Sequence, residues 1–97
     1  MESQWNIFIQ QVTNLSESDQ DCLFDLILTQ DEKQAILTRL SVFRALLKGD
    51  RSHREISKDL SVSIATITRC SNYLKNMPDS VLQQVKALAL KDSLLVD

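Results

Sequence analysis

The stretch from residue 52 to residue 75 constrains the fold most, because it predicts two short helices separated by a three-residue turn. Ser52 and Glu55 have the Ser-x-x-Glu spacing of a capping box, which indicates the start of a helix. Two apolar residues follow at helical spacing, residues 61–63 interrupt the pattern, and a second helix is predicted from about Ile64. We therefore expect a helix-turn-helix over residues 52–75, although a generic helical hairpin has the same pattern.

The rest of the chain is also predicted to be helical. Thr29 and Glu32 form a second capping box, and the long helix that they open is expected to end just before Gly49. Its apolar stripe consists of Ile36, Leu40, Phe43 and Leu47. Further helices are predicted after Ser3, after Ser16 or Ser18, and after Pro78, the last with Leu82, Val85, Leu88 and Ala89 on one face. Since no segment alternates as a strand does, we predict an all-α protein whose residues 1–97 form a single domain.

Several classes of function are disfavoured by what the sequence lacks. Gly49 is its single glycine, which excludes glycine-rich nucleotide loops. His53 is its single histidine and Cys22 and Cys70 lie far apart, so we expect no metal site. No apolar run approaches the roughly 20 residues that cross a bilayer, and we expect no membrane partner and a cytoplasmic protein with reduced thiols. No pattern sets a nucleophile beside a base, so we expect no enzyme, although scattered Ser, Asp and Glu leave a catalytic site open.

The charge distribution favours a nucleic-acid partner. Residues 39–75 hold eight basic and three acidic residues, a net charge of +5, whereas the remainder carries −7. Phosphate neutralisation needs a local basic surface of this kind rather than a basic chain. A solvated charged surface is the alternative for a charge run taken alone.

The second helix of the unit divides into two faces. One set is expected to pack inward: Ile67, Cys70, Ser71 and Leu74. Ile64, Ala65 and Thr68 are expected to project from its amino-terminal end, where they suit thymine methyl groups and base edges of a major groove. Arg54 on the preceding helix is the stronger candidate for a direct guanine contact, since its guanidinium fork matches O6 and N7.

Two longer stretches, LILTQDEKQAILTRLSVFRALLKGD and SHREISKDLSVSIATITRCSNYLK, resemble the tryptophan repressor family, and IATITR, SN and LK are the most specific pieces. The resemblance covers about residues 23–92. It implies an intertwined six-helix homodimer that binds operator DNA and represses tryptophan biosynthesis or uptake genes when L-tryptophan, its corepressor, is bound. Two alternatives remain open: a helix-turn-helix DNA-binding protein without an amino-acid ligand, and a helical dimer that binds a protein partner.

The resemblance also implies the residues of both sites. Arg39 corresponds to the arginine over one face of the ligand indole, and Arg69 to the one that packs on the other face and pairs with the carboxylate. Leu26 and Leu28, contributed by the partner chain, correspond to residues whose backbone carbonyls hold the ligand amine. The full ligand set is Leu26, Leu28, Thr29, Arg39, Phe43, Thr66, Arg69, Cys70 and Tyr73. The expected DNA contacts are His53, Arg54, Ser57, Ser63, Ile64, Ala65, Thr66, Thr68 and Lys75.

The chain departs from the family pattern at both sites. In the ligand set, Cys70 replaces a glycine, Tyr73 a serine and Phe43 a valine, so we expect a bulkier pocket rim and an altered selectivity for ligand size. In the reading unit the replacements are Ser61 and Ser63 for turn glycines, His53 for a glutamine and Ser57 for a lysine. We therefore expect an operator sequence of its own.

Overall fold

The computed structural model describes residues 2–89, and within that range the chain consists of helices and connecting turns without any strand. The six helices are α1 (Gln4–Thr13), α2 (Glu17–Ile27), α3 (Gln30–Lys48), α4 (His53–Leu60), α5 (Ile64–Lys75) and α6 (Asp79–Ala89). The all-α prediction is confirmed. The last residues of the stretch that resembles the tryptophan repressors, 90–92, lie outside the described range.

The chain divides into two compact units, whose boundary falls between Lys33 and Gln34 inside α3. The amino-terminal unit holds α1, α2 and the first turn of α3, and the carboxyl-terminal unit holds the rest of α3 with α4, α5 and α6. The expectation of one domain over residues 1–97 stays a prediction.

Side-chain caps explain where the helices begin. Ser3, Ser16, Ser52 and Ser63 are N-caps, and each side-chain oxygen accepts a hydrogen bond from the backbone N–H three residues later. The capping box of α3 is confirmed, since the Thr29 N–H donates to Glu32 Oε1 at 2.8 Å and the Glu32 N–H donates to Thr29 Oγ1 at 3.1 Å. The first backbone N–H groups of a helix have no partner within that helix, and these side chains accept hydrogen bonds from them. The residues that set the helix starts can therefore be recognised in the sequence.

Two left-handed residues mark the ends of α3 and α4. Gly49 follows α3 with φ of +71°, and Ser61 caps α4 with φ of +55°. The Ser61 N–H donates back to the carbonyl of Ser57, which closes the last turn of α4. The predicted three-residue turn is therefore confirmed, with Ser61 in a conformation that a side chain makes unfavourable.

The amino-terminal unit is held by an aromatic cluster rather than by a buried core. Trp5 stacks on Phe8 with ring centroids 5.3 Å apart, and Phe8 meets the edge of Phe24 at 6.5 Å. Neither α1 nor α2 contains a buried residue. Leu26 is 80% exposed in the chain by itself, and Trp5 is 66% exposed.

The carboxyl-terminal unit has a core to which three helices contribute. Val42 and Ala45 come from α3, Ile56 from α4, and Ile67 and Cys70 from α5. Val42, Ile56 and Ile67 are completely buried. The predicted inward face of α5 is confirmed for Ile67, Cys70 and Leu74, while Ser71 is half-buried.

The face of α3 that packs within the chain differs from the predicted stripe. Ile36 is 47% exposed, and Leu40, Phe43 and Leu47 are half-buried, whereas Val42 and Ala45 are buried. In α6 Ala89 is buried, but Leu88, predicted on the same face, is exposed. These helices carry more apolar surface than the single chain covers.

Candidate functional site

A cleft of about 360 Å³ lies in the carboxyl-terminal unit, on one side of α3 and α5. It is lined by Arg39, Phe43, Thr66, Arg69, Cys70 and Tyr73. Clefts that hold small ligands occupy roughly 300–1,000 Å³, so the volume suits one small molecule. All six lining residues belong to the ligand set that the family resemblance implies.

Helical spacing explains why these side chains meet. Arg39 and Phe43 lie four residues apart on α3 and therefore share a face. Thr66, Arg69 and Tyr73 recur at intervals of three and four residues on α5, with Cys70 on the same face. The two faces together form the walls of the cleft.

The lining combines positive charge with aromatic surface. Arg39 and Arg69 contribute guanidinium groups, and no acidic side chain is among the described residues that line the cleft. Phe43 and Tyr73 meet edge to face, with ring centroids 6.3 Å apart and an interplanar angle of 62°. Guanidinium groups bind carboxylates through charge-assisted hydrogen bonds and also stack on aromatic rings. The cleft is therefore suited to a small anion that carries a planar ring.

Cys70 belongs to both the core and the cleft. Its side chain is only 7% exposed and is part of the core cluster, yet it also lines the cleft. Tyr73, by contrast, is 63% exposed while lining the same cleft. The three positions that depart from the family pattern of the ligand set all contribute to this lining.

The other three predicted ligand residues belong to the amino-terminal unit. Leu26 lies in the last turn of α2, Leu28 caps that helix, and Thr29 caps α3. Leu26 and Leu28 were expected to act from the partner chain, through backbone carbonyls. Their role and that of Thr29 stay predictions.

The predicted DNA contacts lie on the helix-turn-helix formed by α4 and α5, and most of them are exposed. The exposed ones are His53, Arg54, Ser63, Ile64, Ala65, Thr68 and Lys75, while Thr66 is half-buried in the cleft lining. His53 and Arg54 begin α4, and Ile64 and Ala65 begin α5. An exposed amino-terminal end of the second helix is what insertion into a major groove requires.

Ser57 differs from the other predicted DNA contacts. It is half-buried, and its hydroxyl donates to the carbonyl of Val62 at 2.6 Å. The donation ties α4 to the turn that follows it. Because the Ser57 hydroxyl donates its proton to the Val62 carbonyl, Ser57 can meet DNA only as a hydrogen-bond acceptor, through its oxygen lone pairs.

The sequence did not reveal how the basic segment is partly neutralised. Arg51 pairs with Asp59 at 2.9 Å and with Asp50 at 3.8 Å. A recognisable signal was the eight-residue separation of Arg51 and Asp59, which spans α4 from one end to the other. The net charge of +5 already includes Asp50 and Asp59, so these pairs show which basic residue they neutralise and leave that total unchanged.

Residues 2–89 show neither a metal site nor a membrane-spanning helix. No group of three or more His, Cys, Asp or Glu side chains there is arranged to hold a metal ion. None of the helices in that range has both the length and the apolar character needed to cross a bilayer.

Comparison with known proteins identifies the family. A family model described as Trp repressor protein matches residues 3–89. A Trp operon repressor homolog of Photobacterium profundum is 40% identical over 87 residues, which cover 84% of each chain. A Trp operon repressor homolog of Vibrio vulnificus is 43% identical over 76 residues, covering 77% of this chain and 74% of its own. These are transcription regulators, which confirms the expectation that the chain is not an enzyme. The chain belongs to the Trp repressor family.

Proposed function

We propose that the protein is a tryptophan-dependent transcriptional repressor, which acts in the cytoplasm as a homodimer on operator DNA of tryptophan biosynthesis or uptake genes. One observation carries the proposal: six residues that the family resemblance assigns to L-tryptophan line a single cleft in the same compact unit as the helix-turn-helix. Membership of the Trp repressor family supports the same role.

The lining residues suggest how the corepressor is held. Arg39 stacks on one face of the indole, because a planar cation is attracted to an aromatic ring. Arg69 packs on the other face and pairs with the ligand carboxylate, for which a guanidinium fork has matching geometry. Backbone carbonyls of Leu26 and Leu28, contributed by the second copy of the chain, accept from the ligand ammonium group.

The position of the cleft suggests how the ligand controls DNA binding. Its walls come from α3 and from α5, whose exposed amino-terminal end is expected to face DNA. A molecule bound between these helices fixes the direction of α5 relative to α3. In a dimer, two such helices must reach successive major grooves about 34 Å apart, a docking geometry of which tryptophan repressors are a known example. Ligand and operator affinities are therefore coupled in both directions.

Exposed apolar side chains support the dimer. Those of α1, α2 and α6 include Trp5, Ile7, Ile9, Leu26, Ile27, Val81 and Leu88. Single exposed apolar residues are ordinary, but so many on a chain of 97 residues suit an interface with a second copy.

The deciding experiment measures binding of the full-length protein to DNA from upstream of the tryptophan biosynthesis genes of its own genome, with and without L-tryptophan. Coupling free energies between sites are typically 1–3 kcal/mol, so we expect L-tryptophan to tighten binding by about 5- to 150-fold. Tight binding that ignores tryptophan would instead support a helix-turn-helix protein without an amino-acid ligand. A dimer that binds no DNA in either condition would support a protein-interaction role.

Two arginine variants test the two sites against each other. We expect Arg69→Ala to abolish the calorimetric signal of L-tryptophan binding while the protein stays folded. Arg54→Ala removes an equal charge outside the cleft lining, so it should retain the ligand and instead lose about 1–3 kcal/mol of operator binding, with relaxed preference at one base pair. Unchanged ligand affinity in Arg69→Ala would contradict the assignment of the cleft. Equal weakening of Arg54→Ala on operator and random DNA would mark Arg54 as a phosphate contact.

A further inference from the structure

A chain of three polar side chains connects the cleft with the start of α5. Ser63, the N-cap of α5, accepts from the Thr66 N–H at 3.2 Å, and its hydroxyl lies 2.9 Å from Thr66 Oγ1 in a second hydrogen bond. Thr66 Oγ1 in turn accepts from Arg69 Nη2 at 3.4 Å. Thr66 and Arg69 line the cleft, whereas Ser63 lies outside its lining on the exposed surface.

The geometry of these bonds allows Ser63 to direct Arg69. A threonine side chain on a helix has two accessible rotamers, and the bond to Ser63 fixes the Thr66 hydroxyl in one of them. The guanidinium of Arg69 then has an acceptor at a defined point in the cleft. At 3.4 Å this contact is longer than most hydrogen bonds, so a ligand carboxylate, which forms a stronger charge-assisted bond, can draw Arg69 toward itself.

Ordinary helix capping does not require such a connection, as α4 shows. Ser52 caps α4 in the same way, with its Oγ accepting from the Glu55 N–H at 3.1 Å. There the third residue is Glu55, whose carboxylate bonds back to the Ser52 N–H at 3.0 Å. At the start of α5 the third residue is Thr66, whose hydroxyl is shared with Arg69. Both serines accept from the backbone N–H three residues later, but only at the start of α5 does the cap continue through a side chain to Arg69.

We propose that Ser63 is a positioning residue, which acts through Thr66 to orient Arg69 for the ligand carboxylate and so couples the cleft to the DNA-facing start of α5. This inference rests on the proposed function. The connection adds a route of regulation to the same site.

The test uses Ser63→Gly in the full-length protein, because glycine is tolerated at an N-cap at a cost of only a few tenths of a kcal/mol. Titration calorimetry with L-tryptophan should show an affinity about three- to tenfold lower than that of the unmodified chain, as expected for the loss of one hydrogen bond. The ratio of operator affinities with and without L-tryptophan should fall as well. Ser63→Thr keeps a hydroxyl at this position. Its affinity for L-tryptophan and its ratio of operator affinities should therefore stay close to those of the unmodified chain.

Ser52→Gly is the matched control, since it makes the same change at the start of α4, away from the cleft. We expect it to leave the affinity for L-tryptophan unchanged. A Ser63→Gly variant with unaltered ligand affinity and unaltered coupling overturns the inference while the proposed function stands. Equal losses in Ser63→Gly and Ser52→Gly overturn it too, because helix stability alone would then explain them. An unmodified chain that fails to bind L-tryptophan overturns the proposed function and the inference together.

Discussion

The two units of the chain are built from the same kind of helix, yet among residues 2–89 only the carboxyl-terminal unit has a core of buried side chains. In both units serine hydroxyls cap the helices, as Ser16 does for α2 and Ser52 for α4. The amino-terminal pair, α1 and α2, has three contacting aromatic rings and no buried residue. The carboxyl-terminal unit buries side chains from three helices. Local signals therefore set the helices in each unit, whereas the burial that stabilises packed helices is concentrated in the carboxyl-terminal unit.

The cleft and the helix-turn-helix both lie in the unit that has the core. Arg69 and Thr66 are on α5, whose opposite side is anchored by the completely buried Ile67. A cleft needs walls at fixed positions, and packed helices supply them because tightly packed interiors deform little. Several apolar side chains of the amino-terminal unit, among them Trp5 and Leu26, are exposed, which supports the proposed pairing with a second chain. Each of the following changes tests one side of this contrast.

The largest effect is expected from Ile56→Ala, in the core of the carboxyl-terminal unit. Ile56 is completely buried, so its truncation should lower the free energy of unfolding by about 2–5 kcal/mol. Denaturant unfolding measures this loss. Ile64→Ala, the same change at a residue that is 45% exposed, is the control and should cost less than about 1 kcal/mol. Similar losses in the two variants would show that the core does not carry the stability of this unit.

Leu26→Ala tests whether the amino-terminal unit depends on a partner. If a second copy covers this exposed side chain, removing its outer carbons should cost about 2 kcal/mol and raise the dimer dissociation constant by roughly 30-fold. Sedimentation over a range of protein concentrations gives that constant. Leu26→Met keeps the apolar volume and should leave the dimer almost unchanged. An unaltered dissociation constant in Leu26→Ala would place this end of α2 outside the interface.

Cys70→Gly separates the packing role of Cys70 from its place in the cleft. Glycine inside a helix costs about 1 kcal/mol, and the smaller residue should admit ring-substituted tryptophans more readily. Cys22→Gly makes the same change in the middle of α2, where the cysteine is exposed, and should lower stability without changing ligand selectivity. If Cys70→Gly also lowers the melting temperature but leaves the relative affinities of tryptophan and its analogues unchanged, Cys70 is a core residue only.

The smallest effect concerns the two left-handed residues. Ser61→Gly should stabilise the protein by about 0.5 kcal/mol, because glycine relieves the strain of positive φ but loses more entropy on folding. Gly49→Ala should destabilise it by about 1 kcal/mol through φ alone, since an added Cβ meets no atom within 4 Å. Thermal unfolding compares both with Ser61→Ala, which retains the strain and should gain nothing. A gain in Ser61→Ala equal to that in Ser61→Gly would refute the strain at this turn.

The sequence predicted the helix boundaries well because the signals that set them are local. The reciprocal bonds of Thr29 with Glu32 connect residues three positions apart, and such a pair can be recognised without knowledge of the fold. The same holds for Gly49 at the end of α3. The spacing on α5 also predicted correctly that Ile67 and Leu74 are buried.

The sequence predicted less well which apolar residues pack inside the chain. On α3, Ile36 was expected on the packing stripe and is half-exposed, while Val42 and Ala45 are buried. A helix with apolar residues on more than one side can pack against its own chain with one face and against another molecule with the other. Spacing alone does not distinguish these faces. The link from Ser63 to Arg69 escaped prediction for a related reason, since it depends on side-chain rotamers rather than on residue types.

The exposed ring of Trp5 also provides a way to observe the two units separately by fluorescence. Trp5 is the only tryptophan in the sequence, and it stacks on Phe8 in the amino-terminal unit. Its indole emission therefore reports the surroundings of α1, while the proposed ligand brings a second indole to the carboxyl-terminal unit. In a Trp5→Phe variant, whose ring keeps an aromatic contact with Phe8, the protein contributes no indole emission. All indole emission from such a sample then comes from the ligand. A change in that emission therefore reports binding of the ligand to the cleft without any attached dye.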